Sequence, residues 1–207
     1  MVFIAAEIGV NFRNLNEADE MIREASCMGA DAVKFQVYRS EHISGHPRYD
    51  ELKSIMLGDM EIRYLYWRCK AANVEFMATP FYPAAVPMLD QYVKRWKIRY
   101  NDRENEEILE ACRKTGKPML ISGKNVFCVP EYPPAGKGPM VTLTEIESFK
   151  GFSSHFPYVA IPNCFGFMDY IEVHVKREYY PDNYCPIDNA VSITISELAE
   201  LCQRVKE

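Results

Sequence analysis

Short apolar runs alternate with amphipathic helical patterns along most of the chain, and this alternation sharply limits the folds open to it. The run 2–8 (VFIAAEI) leads into Gly9-Val10-Asn11. Asn16 then reads as the cap of a helix in which Ala18, Met21, Ile22 and Ala25 recur at helical spacing. Gly29 closes that helix, and 31–37 (DAVKFQV) reads as the next strand. Further on come a helix with Ile62, Leu65, Tyr66 and Cys69 on one face, a strand over 74–79, a helix over 83–92 and a strand over 96–100. Asn105 opens another helix, stopped by Gly116. Strands over 118–122, 126–129, 151–155 and 170–175 bring the count to about eight, and Ser196 reads as the cap of a final helix. Near-continuous apolar strands are buried on both faces, so crossover helices must cover them and the sheet is parallel.

Two architectures satisfy that pattern: a closed β/α barrel and an open, doubly wound sheet. The first strand-to-helix junction is not G-x-G-x-x-G, which removes the main support for a dinucleotide fold. No P-loop and no G-x-S-x-G elbow occurs. Eight strands favour a single TIM-type (β/α)8 barrel over 1–207, shortened because ~200 residues is the lower limit for that fold. Only residues 123–126 separate two of the strands, whereas a helical crossover needs at least ~10–12 residues. Either these strands form a local hairpin or one of them is not a barrel strand, and at least one outer helix is missing. Its absence should uncover apolar surface on the neighbouring strands, Met119, Ile121, Val126 and Cys128 wherever they point outward, and make the protein a homo-oligomer. The alternative is that the Pro-rich stretch 130–139 folds back over the gap.

Composition bears on partners and compartment. With 24 Lys+Arg against 29 Asp+Glu the net charge is −5, which argues against nucleic acid or an anionic membrane as a general partner. No run approaches the ~20 apolar residues of a membrane span, and the N-terminus lacks the basic region of a secretory leader. Seven cysteines, odd in number and without a C-x-x-C pair, fit a reducing cytoplasm better than a disulfide framework.

Barrel chemistry collects at the C-terminal ends of the strands. The polar residues sort to those ends: Glu7, Lys34 with Gln36, Thr79, Lys97, Ser122, Ser153 with His155, and Glu172 with His174. Rim ion pairs without any catalytic role would also account for any one of them. Adjacent strand ends lie ~5 Å apart, so His155 and His174 are placed to share a cation and leave positions open for substrate oxygens. His42 and His46 lie in a long polar loop and read as solvent-facing.

Taken together, IAAEIGVN (4–11), GADAVKFQVY (29–38), VEFMATPF (74–81), WKI (96–98), TGKPMLIS (115–122), CVPEYP (128–133), SSH (153–155), IEVH (171–174) and DNAVSI (188–193) resemble the barrel domain of the sialic acid synthase family. The resemblance implies condensation of phosphoenolpyruvate with an open-chain N-acetylated amino sugar, such as an N-acetylmannosamine, to give a nonulosonic acid and phosphate. It implies a divalent cation, manganese first and magnesium or cobalt as alternatives, held by His155 and His174. By the same correspondence Lys34, Thr79, Lys97, Ser122 and Ser153 would hold phosphoenolpyruvate, while Glu7, Gln36, Tyr132 and Asp188 would hold the sugar, with the carboxylates of Glu7 and Asp188 as catalytic groups that accept from its hydroxyls or shuttle protons.

The chain departs from the family pattern after WKI, where a small residue followed by S-G-E gives way to Arg99-Tyr100-Asn101-Asp102. Asp102 would stand in for the family's catalytic-loop glutamate, and Arg99 would supply a bidentate phosphate clamp. Pro130 replaces a polar residue, S-D-H becomes Ser153-Ser154-His155, and the family's small C-terminal antifreeze-like domain is expected to be absent. These changes leave a second reading open, a degenerate barrel that binds a sugar or phosphate without turnover.

Overall fold

The computed structural model describes residues 2–128, 149, 151–154 and 169–206. Strands β1 (Phe3–Gly9), β2 (Ala32–Val37), β3 (Glu75–Pro80), β4 (Trp96–Ile98), β5 (Met119–Ile121), β6 (Val126–Cys128), β7 (Gly151–Ser154), β8 (Tyr170–Lys176) and β9 (Ile193–Thr194) are joined in part by helices. These are α1 (Leu15–Cys27), α2 (Tyr49–Ser54), α3 (Asp59–Ala71), α4 (Ala85–Asp90), α5 (Glu106–Arg113) and α6 (Ile195–Lys206).

Every strand pairing is parallel. One sheet runs β3-β2-β1-β8-β7-β6, with β9 beside the far end of β8, and a second pairs β4 with β5. A parallel bridge between Ser122 and Val126 links β5 to β6, and β4 lies against β3. The wall thus follows chain order and returns from β8 to β1, the pairing that distinguishes a TIM-type barrel from an open, doubly wound sheet.

Strand periodicity divides the core in two. One side of the wall packs Ile4, Ala6, Ile8, Val33, Phe35 and Phe76 with Ala18, Met21, Ile22, Ile62 and Leu65 of α1 and α3. On the other side a smaller cluster of Ala5, Ala32, Met77, Val126 and Tyr170 plugs the interior. Side chains two apart on a strand share a face, so the residues next above that plug are Glu7, Lys34, Thr79, Cys128 and Glu172.

Two caps differ from the sequence reading. Asn14, not Asn16, caps α1: its side chain accepts from the N–H groups of Asn16 and Glu17, both at 3.1 Å. Thr194, not Ser196, opens α6 through a reciprocal pair with Glu197, N–H to carboxylate at 2.7 Å and N–H to hydroxyl at 3.3 Å. In both cases the cap is the last residue with extended backbone before the helical turns begin.

No helix lies between β5 and β6. Gly123, at φ +82°, turns the chain and donates to the Val126 carbonyl at 2.8 Å. The Asn125 side chain accepts from the Ile121 N–H at 2.6 Å and donates to the Met119 carbonyl at 2.8 Å, so the turn satisfies the β5 backbone by itself. The uncovered patch expected here does not arise. Val126 and Cys128 are buried, while Met119 and Ile121 are half-buried and packed on the core. Among the described residues the exposed large apolar side chains are elsewhere, at Met60, Tyr64, Trp67 and Tyr179. The Pro-rich stretch 130–139 lies outside the described residues. Among those described, no helix is long and apolar enough to cross a membrane.

Candidate active site

Above the plug, at the C-terminal ends of the strands, opens a cavity of about 590 Å³. Strand register assembles its floor. Glu7 pairs in register with Lys34 on one side and His174 on the other, Gln36 with Thr79, and Ser153 with Glu172. Each of these residues stands on a wall whose neighbours are fixed by ladder hydrogen bonds, so the site is preorganised by the barrel itself.

Glu172 is the centre of the floor. Its Oε1 lies 3.4 Å from Lys97 Nζ and 3.8 Å from Lys34 Nζ, and accepts from the Ser153 hydroxyl at 2.8 Å. Its Oε2 accepts from the Tyr170 hydroxyl. Lys97 donates to Ser122 Oγ at 2.8 Å, and Lys34 donates to Thr79 Oγ1 at 3.1 Å and pairs with Glu7. Burial presses the Glu172 carboxyl towards its neutral form. Lys34, Lys97 and the two hydroxyls outweigh that, and its pKa falls to about 2. Burial likewise opposes the charge on Lys34, but Glu172 and then Glu7 raise its pKa above the ordinary lysine value. The floor therefore presents two fixed ammonium groups and three hydroxyls.

Glu7 is fully buried behind this surface, where Gln36 Nε2 donates to its Oε1 at 3.2 Å. Gly9 makes that placement possible. It has φ +56°, and a Cβ there would stand 2.7 Å from Glu7 Oε1 and 3.2 Å from Gln36 Nε2. His174 is buried with Nδ1 3.4 Å from Asp188 Oδ2. Burial alone would depress the imidazole; contact with Asp188 and then the charge of Glu7 raise its pKa instead. Asn11 fixes the Asp188 backbone by accepting its N–H at 2.8 Å, while donating to Val175 O and Ser192 Oγ, each at 2.8 Å.

Of the residues singled out in the sequence, Lys34, Gln36, Thr79, Lys97, Arg99, Ser122, Ser153, His174 and Asp188 line this one cavity. Glu7 supports it from behind. Asp102 is not among the lining residues; its carboxylate is bound by Arg99, whose guanidinium stacks 3.7 Å above the Phe81 ring. Tyr132 and His155 lie outside the described residues. Glu172, noted in the sequence only as one polar strand end, links the two lysines. Its signal was its position two residues before His174, on the same strand face. His46 is exposed, as expected, and His42 is half-buried, but both also line the cavity. The loop after β2 folds over the mouth and brings both into the lining, together with Ser44 and Tyr38.

His174 fits a metal ligand. A carboxylate against Nδ1 would orient the ring for ligation through Nε2, the usual carboxylate–histidine arrangement. Among the described residues no three His, Cys, Asp or Glu side chains group as a cation site.

The chain matches the NeuB family over residues 21–124. It is 36% identical over 124 residues to an uncharacterised protein of Methanocaldococcus jannaschii, covering 58% of this chain and 37% of that protein. It is 30% identical over 138 residues to the N,N'-diacetyllegionaminic acid synthase of Legionella pneumophila, covering 58% and 39%. These matches span about four tenths of the two relatives. A solved N-acetylneuraminic acid synthetase from Leptospira borgpetersenii, in complex with citrate, aligns with a TM-score of 0.75 at 25% identity, over 99% of this chain and 82% of that one.

Proposed function

The chain belongs to the NeuB family, and from that premise we propose that its cavity condenses phosphoenolpyruvate with an N-acetylated amino sugar, giving a nonulosonic acid and phosphate. The observation that carries this reading is the floor, where Lys34 and Lys97 are spaced by Glu172 and flanked by Thr79, Ser122 and Ser153. Phosphoenolpyruvate carries a phosphate and a carboxylate, and two ammonium groups with the hydroxyls of Thr79 and Ser122, which accept from the lysines and keep their own protons to give, suit such an anion. The citrate bound to the Leptospira relative is likewise polyanionic.

In this reading the lysines hold the anion with its methylene carbon towards the acceptor. The methylene carbon forms the new C–C bond to the aldehyde carbon, water adds at C2, and the C–O bond to phosphate breaks. Gln36 positions the sugar, and Glu7, buried behind it beside Gly9, accepts from Gln36 Nε2 and fixes that side chain. Asp188 holds the His174 ring in place at Nδ1. A divalent cation, with Mn²⁺ the first choice and Mg²⁺ or Co²⁺ the alternatives, would be held by His174 and His155 and would polarise the aldehyde oxygen.

The test is release of phosphate from phosphoenolpyruvate, with Mn²⁺, across a panel of N-acetylated hexosamines. Sugar-dependent release supports the synthase, and its absence with every sugar refutes it. The second reading, a barrel that binds without turnover, draws on the Arg99–Asp102 pair. It places the one loop carboxylate expected to be catalytic outside the cavity lining. Ligand binding without phosphate release would select it.

A further inference from the structure

We propose that the outer face of α3 docks a second copy of this chain, with the two α3 helices packed antiparallel about a two-fold axis at Tyr64. The inference does not depend on the chemistry assigned to the cavity. That cavity opens at the strand ends, whereas α3 lies on the outside of the wall, between β2 and β3 in the chain.

One side of α3 is buried and the other is bare. Ile62, Leu65 and Cys69 pack into the core. Opposite them, Met60 is 77% exposed, Tyr64 36% and Trp67 57%, at positions i, i+4 and i+7, and exposed Ala71 continues the row. At 3.6 residues per turn these four lie within about 60° of one another around the helix. Three of the four large apolar side chains left exposed among the described residues thus share one narrow stripe. Scattered exposed apolar residues are ordinary, but a contiguous row marks a contact surface. Beside it runs a groove of about 510 Å³, lined by Met60 and Arg63 of α3 and by Met88 and Tyr92 across from them. Two thioethers, a phenol ring and a guanidinium make a fitting socket for an indole.

Charge decides what covers the stripe. The first turn of α3 carries Asp59 and Glu61, and its last turn carries Arg68 and Lys70. A second α3 laid parallel would set like charge on like, whereas an antiparallel one sets acidic turn on basic turn at both ends. The register follows from the spacing. An axis at Tyr64 brings Met60 opposite Trp67 of the second copy, Asp59 opposite Lys70 and Glu61 opposite Arg68, each to within one residue, or about 1.5 Å. The two-fold repeats every one of these pairings. Tyr64 then meets its own copy on the axis, where two phenol rings can stack. A surface so matched to itself is the mark of an isologous contact.

The existing bonds single out one pair for the test. Arg68 is held by Asp19, with Nη2 2.8 Å from Oδ2, and Glu61 accepts the Gly58 N–H at 3.0 Å, so both serve the fold already. Asp59 and Lys70 are exposed, and Lys70 Nζ lies over the Trp67 ring at 5.4 Å. A carboxylate arriving from the second copy would meet that ammonium group beside the indole.

Sedimentation velocity of the full chain, from about 5 to about 200 micromolar, tests this on wild type, Trp67→Glu, Asp59→Lys and the exchange Asp59→Lys/Lys70→Asp. A contact built on one helix pair is at the small end of specific interfaces, so wild type should dimerise with a Kd of about 10–100 micromolar. Trp67→Glu should weaken the dimer at least about thirtyfold, the loss expected of a central aromatic anchor. Asp59→Lys should weaken it about three- to tenfold, and the exchange should return it to within about twofold of wild type. All three positions are exposed, and thermal midpoints check that each variant is folded. A wild type that stays monomeric throughout overturns the proposal. A dimer that Trp67→Glu leaves unchanged also overturns it, since the contact would lie on another face. An exchange no tighter than Asp59→Lys alone refutes the antiparallel register, because only a second α3 carries the matching change.

Discussion

The Tyr100 ring lies so close to Gly123 that a Cβ at position 123 would stand 2.7 Å from Tyr100 Cε2. The two residues belong to the two places where the chain departs most from the family pattern. Tyr100 stands after β4 where the family pattern has a serine, and Gly123 turns the connection that lacks its helix. The bulk gained at one occupies space that only a glycine leaves open at the other, and Arg103 stacks on the same ring at 3.8 Å.

Replacing that glycine should be costly for two separable reasons. Gly123→Ala strains a residue at φ +82° and drives a methyl into the ring, and a destabilisation of about 1–3 kcal/mol is expected. Adding Tyr100→Ala should recover the steric share but not the backbone share. Urea unfolding of the four proteins in the cycle measures both, and strict additivity would show that the contact is not felt.

Lys97→Met should destabilise the fold by about 3–5 kcal/mol and abolish phosphate release, because Glu172 would keep its buried charge with Lys34 as its one remaining ammonium partner, 3.8 Å away. Combining it with Glu172→Gln should restore most of the stability and none of the activity. Unfolding midpoints and the release assay, run side by side, separate the two effects.

Acid stability should carry the mark of Glu172. Its folded pKa, about 2, lies below the ordinary 4.5, so its contribution is complete above about pH 4.5 and is lost as pH falls from there towards 2. The unfolding midpoint should drop through that window, and Glu172→Gln should flatten the drop. An unchanged slope in the variant would assign acid unfolding to other carboxylates.

His174→Ala should remove both Mn²⁺ binding and condensation while leaving the fold intact. Asp188→Asn should weaken the metal by about 10–100-fold, the usual cost of losing a carboxylate that orients a ligating histidine. Manganese titration followed by electron paramagnetic resonance, with near-ultraviolet circular dichroism as the check on folding, reads both variants. Unchanged affinity in His174→Ala would return the imidazole to a structural role.

The floor of the site was legible in the sequence because strands obey a period of two. Once β1, β2 and β8 are placed, Glu7, Lys34 with Gln36, and Glu172 with His174 must share a face. Loops have no such rule, and that is where the reading fell short. Nothing local in the stretch around His42 and His46 says whether it leans over the mouth or away. That is decided by long-range contacts such as His42 on Tyr82 and Arg48 on Tyr184. Asp102, which the resemblance brought in as the stand-in for a loop glutamate, is not among the residues lining the cavity, and Arg99, three residues earlier, holds its carboxylate. The β5–β6 connection was correctly seen as too short for a helix. Which of its apolar residues point outward is set by strand parity: Val126 and Cys128 turn inward, and Met119 and Ile121 pack half-buried on the core.

The alternation of layers along β8 also sets what genetic change this strand tolerates. Substitutions act one side chain at a time, but inserting or deleting one codon between Tyr170 and Glu172 would move every later residue to the opposite face. Val173 and Val175 would then line the cavity, while Glu172 and His174 would be driven among the helices, one as a buried unpaired charge and the other without Asp188. Length variation should therefore be confined to the loops beyond the strand ends, and β8 should diverge by replacement alone.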